Sequence, residues 1–301
     1  MKPYESLFAQ YSAQKPETIF AHFYPPRRPP SSTVPLDFDA PFTAIARTTL
    51  DGFDSWTFQQ AQFKARHGYS AVPKLKNYLN YTFVRLVTLE QQNPGCYFFW
   101  NSDKSWVCFN TGLHNSYGVD LIATFQKYTP RPGSFVPVSL KPDWVYKGCH
   151  ATNDNGYRVV FGTRAPKIAW YSADSRDYVF DTSYDLDKEA FDHLFERARE
   201  RAGLPNAGDE VVRNYLRGAI ENLIPKIMRN YKVAIPVYYV EEKRMQLLLP
   251  FYSANGQDVS SFLVEREDAH KHYRVKTIFD LDQAYFSARL ITRPDKEWLN
   301  P

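Results

Sequence analysis

The chain has 301 residues, with 37 Lys and Arg against 33 Asp and Glu. A net charge of +4 suits an anionic partner but falls far short of a nonspecific nucleic-acid arm. Three cysteines, Cys96, Cys108 and Cys149, form an odd set without Cys-x-x-Cys spacing, which argues against a disulfide scaffold or a zinc ribbon. The opening Met1-Lys2-Pro3-Tyr4-Glu5 lacks an apolar leader, and no run approaches the roughly eighteen apolar residues of a membrane span. A cytoplasmic protein without a membrane partner is expected.

Residues 1–24 read as a short amphipathic helix and an aromatic, strand-like run, and Pro25-Pro26-Arg27-Arg28-Pro29-Pro30-Ser31-Ser32 as a dispensable extended loop. Residues 42–50 are a weak helix, and Phe53, Trp56 and Phe58 a buried clamp. The clearest helix of the first half is 74–91: Pro73 opens it, Leu75, Tyr78, Leu79, Phe83, Leu86 and Leu89 repeat at helical spacing, and Asn93-Pro94-Gly95 ends it. Two strands, 97–100 and 106–110, form a hairpin. The second runs through Asn110-Thr111-Gly112-Leu113 into an expected helix at 119–127, an arrangement that places ligands in α/β folds.

Further strands are expected at 135–138, 157–161, 168–171 and 178–180, with an extended segment at 144–148 and a charged helix at 188–201. Gly203-Leu204-Pro205-Asn206-Ala207-Gly208 is the best linker in the chain. A long helix at 209–229, kinked by Pro225, leads into strands at 233–240, 245–249, 261–265 and 273–279. A short terminal helix follows, with Asp282 as its N-cap. The expected architecture is α+β. Residues 1–40 carry the first helix and the Pro-rich loop; residues 41–301 form a single domain with a mixed, largely antiparallel sheet. The helices 74–91 and 209–229 pack that sheet, and the first-half strands extend or face it.

Polar groups inside the apolar C-terminal strands mark the candidate site. Asp282, Tyr285 and Arg289 share one helix face, where a capped helix with a locally paired Arg is the plainer reading. Lys232 enters the sheet from a helix-to-strand junction shared with Arg229 and Asn230, and a buried Lys needs a counter-charge. Gln246 interrupts a Met-Leu-Leu-Leu strand, as a ligand-reading or a satisfied core amide. The catalytic candidates are Asp282 and Lys232, and the ligand-binding candidates are Asn110, Lys147, Arg229, Gln246, Tyr285, Arg289 and Arg293. No cofactor is assigned. His270 and His272 share a strand face, but no third donor at helpful spacing accompanies them, so no metal site is assigned. His114-Asn115-Ser116 and His150-Ala151-Thr152 are set aside as a phosphoesterase pair because neither sits at the middle of a strand.

Several of these stretches together resemble a family known as domain of unknown function 3825, found mostly in bacteria. The matching residues are Leu75 to Phe83, Phe109-Asn110-Thr111-Gly112-Leu113, Trp144-Val145-Tyr146-Lys147-Gly148, Asn230 to Tyr239, the Gln246 strand, and Leu281-Asp282-Gln283-Ala284-Tyr285 through Arg293-Pro294-Asp295 to Trp298. In this chain Phe286-Ser287 stands where many relatives carry two asparagines, and Arg197-Ala198 where they carry Asp-Asn. The resemblance implies no activity. Relatives joined to small RNA-binding modules imply an RNA-linked role by association. Convergent Arg, Lys and amide groups beside aromatics suit phosphates and base edges, so the expected partner is RNA or a nucleotide. A nucleotide-processing phosphoesterase or transferase and a non-catalytic scaffold are the alternatives.

Overall fold

The computed structural model describes residues 2, 4–9, 15–23, 37, 39–57, 70–129, 143–187, 192–256 and 259–292. These divide into two compact units, 1–170 and 171–301, each with a five-stranded sheet of its own. The α+β class stands. Both sheets are largely antiparallel, and the first long helix, expected on the C-terminal sheet, sets its aromatic stripe on first-half strands instead.

In the first unit, helix α1 (Ala40–Thr48) precedes a 3-10 turn, Phe53–Trp56, that buries Trp56 and leaves Phe53 partly exposed. Phe58 and the Pro25–Ser32 loop lie outside the described residues. Helix α2 (Pro73–Gln92) starts at Pro73, where the missing N–H has no intrahelical partner to lose. The sheet runs β1 (Ala21–His22), β5 (Trp144–Ala151), β4 (Asp120–Lys127), β3 (Trp106–His114), β2 (Phe98–Trp100), and only the β1–β5 pair is parallel. Phe83 of α2 sits 4.8 Å from Phe20, 5.8 Å from Phe98 and 5.6 Å from Phe109, ring centre to ring centre. Each such fully buried ring contributes about 1.5–3 kcal/mol. On the other sheet face Cys108 and Ile122 pack on Tyr157 of helix α3 (Asn155–Phe161). Cys96, Cys108 and Cys149 are free, and burial pushes the Cys108 thiol up to about 12.

Four first-half expectations change. Residues 119–127, expected as a helix, are strand β4: Leu121 to Phe125 are all buried, as a short run covered on both faces requires, and apolar content alone does not separate that from a helix. The strand-to-helix ligand turn therefore does not exist, and β3 continues through a bulge at Gly112 (φ +73°). Residues 157–161, expected as a strand, are α3, because Asp154 accepts the Gly156 N–H at 2.7 Å and Gly162 (φ +76°) ends the helix. Residues 168–170 join no strand; Trp170 instead donates from its indole to Tyr97 Oη at 3.0 Å and accepts from Arg85. At the N-terminus, a 3-10 turn at Pro16–Thr18 is the only helical segment among the described residues of 2–23. The expected strand at 135–138 lies outside them.

In the second unit the order is β6 (Asp185–Leu186), β10 (His272–Phe279), β9 (Val259–Glu267), β8 (Arg244–Tyr252), β7 (Ile235–Tyr239), antiparallel except β6 with β10. Of the expected charged helix, the described residues form a 3-10 turn at Asp192–Leu194 and then helix α4 (Phe195–Ala202), and α5 (Asp209–Arg229) carries Pro225 inside it. Val212, Leu216, Ile220, Leu223 and Ile227 of α5 share one apolar core with Leu247, Leu249, Phe251, Phe262 and Val264. Residues 178–180 are not a strand: a 3-10 turn, Ser175–Tyr178, capped by Asp174, precedes Phe180, which stacks on Tyr273 at 4.2 Å. Helix α6 (Leu281–Ala288) packs against β7, β9 and β10. Among the described residues no helix is long and apolar enough to cross a membrane.

Candidate functional site

The sequence-derived residues divide between the units, Asn110 and Lys147 in the first and the others in the second. Asn110 is buried and committed to structure: its Nδ2 donates to Asp120 Oδ2 (3.0 Å) and to the Pro166 carbonyl (3.3 Å), while its Oδ1 accepts the Gly112 N–H (3.0 Å). Lys147 is exposed at the irregularity where β4 and β5 change register.

In the second unit, the residue that caps α6 is Asp280, not Asp282. Asp280 accepts the Gln283 N–H at 2.8 Å while the Gln283 side chain accepts the Asp280 N–H, a reciprocal capping box. Two aspartates two residues apart offer two starts, and the extended backbone at Asp280 (φ −71°, ψ 170°) decides between them. Asp282 thus falls in the first turn and is buried, as is Tyr285; Arg289 is half-buried at the C-terminal end. Lys232 is exposed, not buried. The strand begins only at Ile235, and a 3-10 turn over Tyr231–Val233, capped by Asn230, precedes it, so strand alternation does not apply to Lys232. Arg229 is exposed as well, and Arg293 lies outside the described residues.

Gln246 points to the sheet face away from α5, since Leu247 and Leu249 enter the α5 core. Its Nε2 donates to Glu242 Oε2 at 2.8 Å, and its Oε1 is buried without a hydrogen bond among the described residues. Around it Lys276 bridges Glu242 (3.4 Å) and Glu265 (3.1 Å), and Arg244 pairs with the same two carboxylates. Two cations and two anions balance there. Hydrogen bonding and ion pairing with Arg244 and Lys276 outweigh burial and lower the Glu242 pKa. Arg197 donates to Thr277 Oγ1, and Ser287 is buried on α6.

None of the sequence-derived candidates lines the cleft beside α5. Strand β7 pairs only with Arg244–Leu248, so Leu249–Tyr252 of β8 continues past it as an edge, and Pro250 withdraws one donor from that edge. Against this edge α5 sets small residues, Gly218 and Ala219, and the result is a cavity of about 450 Å³. Its other walls are Asn214, Tyr215, Asn222, Leu223, Lys226, Pro250 and Tyr252. Lys226 Nζ lies 4.8 Å from the Tyr252 ring centre, and Tyr215 Oη donates to the Tyr252 carbonyl at 2.5 Å. A Cβ built on Gly218 meets nothing within 4 Å, so the space there is open. Spacings of Asn214, Gly218 and Asn222 at four residues do place one polar, small-residue stripe on the helix, which is the signal available in the sequence.

Nothing among curated proteins or solved structures matches the chain. A family does match over residues 53–298, across both units, and the protein belongs to it: the family described as domain of unknown function 3825.

Proposed function

We propose that this protein binds a nucleotide unit, free or within single-stranded RNA, and that the α5–β8 cleft is where it does so. The observation that carries this reading is the composition of a 450 Å³ cavity: one cation, two amides and two tyrosines around open space. Binding cavities typically measure about 300–1,000 Å³ and combine apolar walls with a few placed polar groups. A base stacks on an aromatic face, amides read its edge, and a Lys takes the phosphate. Arg229 lies one turn past Lys226, so a longer strand gains further backbone charge contacts on leaving the cleft.

The test is calorimetry with ribonucleotides and fluorescence anisotropy with labelled single-stranded oligoribonucleotides on the full chain. A charged hydrogen bond contributes about 1.5–3 kcal/mol, so Lys226→Ala should weaken binding roughly 10- to 150-fold. Gly218→Leu should abolish it by filling the cavity. Log-linear loss of affinity with salt marks RNA as the ligand, whereas salt-tolerant binding of one mononucleotide marks the free ligand. Arg289→Ala separates the cleft from the sequence-derived set at α6: a tenfold loss there, with Lys226→Ala neutral, moves the phosphate to α6. Wild-type protein that binds neither probe at about 1 mM would overturn the reading.

A further inference from the structure

A cluster of donor side chains lies in the β9–β10 hairpin, independent of the cleft. Glu267, the last residue of β9, stands in register with His272, the first of β10, and His270 occupies the turn between them. Lys271 takes a left-handed conformation (φ +52°), which folds the turn back toward the strands. His272 Nε2 is 3.1 Å and His270 Nδ1 is 3.6 Å from the same atom, Glu267 Oε2, and all three donors lie within 4.8 Å of one another. The two imidazole rings stack at 5.5 Å.

We infer that Glu267, His270 and His272 form a binding site for a zinc-class divalent ion. Donors about 2.0–2.1 Å from a tetrahedral ion stand roughly 3.3 Å apart, and the two separations from Oε2 straddle that value. The remaining pair, within 4.8 Å, closes by rotation of His270, whose side chain is 70% exposed. Arg274 lies 4.0 Å from the other carboxylate oxygen, Oε1, which orients the group so that Oε2 faces the imidazoles. Two nitrogens and one oxygen suit Zn²⁺, Co²⁺ or Ni²⁺, whereas Mg²⁺ and Ca²⁺ select oxygen sets. The bound ion keeps its remaining positions for water or an external ligand, because the hairpin end is open to solvent. The sequence showed His270 and His272 but not the third donor: Glu267 is brought to them by the cross-strand register.

The test is titration of the metal-free full chain with Zn²⁺ alone by calorimetry, and with Co²⁺ alone by absorption. One saturable site is expected, weakened at least tenfold by His272→Ala, His270→Ala and Glu267→Gln separately, with far-ultraviolet circular dichroism unchanged. Arg274→Lys should leave it within about threefold, since only an orienting contact is altered. The cobalt spectrum should show ligand-field bands without a sulfur-to-cobalt charge-transfer band, which distinguishes the hairpin from Cys96, Cys108 or Cys149. Zn²⁺ binding that survives His272→Ala, a thiolate spectrum, or no saturable binding would overturn the assignment and leave the cluster a set of histidine–carboxylate ion pairs.

Discussion

Glu90 is a carboxylate buried at the end of α2, 4% exposed, and the connection to β2 is hung on it. Its Oε1 accepts the Gly95 N–H at 2.6 Å, and its Oε2 accepts those of Tyr97 (2.9 Å) and Phe98 (3.2 Å). Tyr97 and Phe98 are buried while Gly95 is exposed, so only two of the three donors lose every alternative when the carboxylate goes. A buried donor left without an acceptor costs about 1–3 kcal/mol, so Glu90→Ala should cost about 2–6 kcal/mol. Glu90→Gln should cost much less, about 1 kcal/mol, because a single amide oxygen at the Oε2 position still serves both buried donors and water serves Gly95. Five of the six tryptophans (56, 100, 106, 144 and 170) lie in residues 1–170, so tryptophan emission during urea unfolding reads chiefly this unit. At about 2–4 °C per kcal/mol, Glu90→Ala lowers the melting temperature by roughly 4–24 °C. A loss under 1 kcal/mol for Glu90→Ala, or equal losses for Ala and Gln, would refute the hydrogen-bond reasoning.

Gly112→Ala should destabilise the first unit by about 1–3 kcal/mol, because the position has φ +73° and an added Cβ falls 2.8 Å from Tyr78 Oη; the shift in urea midpoint reads it. Gly218→Ala should stabilise α5 by about 0.5–1 kcal/mol, since a Cβ there meets nothing within 4 Å; a lowered melting temperature would show that the cleft is narrower than described. Asp143 is lifted by partial burial, but hydrogen bonds from Lys2 Nζ (2.7 Å) and Tyr4 Oη (2.6 Å) outweigh it and set its pKa below the usual value. A depressed carboxylate stabilises the folded state above its unfolded pKa, near 3.9, and that contribution is lost as pH falls through the lower folded value. Asp143→Asn should therefore be less stable than wild type at neutral pH, with the difference shrinking below about pH 4; a difference independent of pH would remove the ionic contribution.

Sequence alone determined the elements whose signals are local. Pro73 and Asn93-Pro94-Gly95 bracket α2 almost to the residue, the α5 periodicity survives Pro225, and the four C-terminal strands follow their apolar runs. Local signals failed where two readings use the same residues. Leu121 to Phe125 carries enough apolar character for a helix or a doubly covered strand, and only the layers on both sides made it β4. Tyr157 to Phe161 has strand-forming residues, but the Asp154 cap and Gly162 made it helical. The candidate site shows the same limit. Residue type pointed to Lys232 and Gln246, yet one turn of 3-10 helix put Lys232 in solvent, and ion pairs from β8, β9 and β10 gathered around Gln246. The α5–β8 cleft and the Glu267–His270–His272 cluster were decided by tertiary structure alone: the first exists because β7 stops short of Leu249, the second because hairpin register sets Glu267 opposite His272. Both depend on which strand ends where, a long-range property that no window of sequence carries.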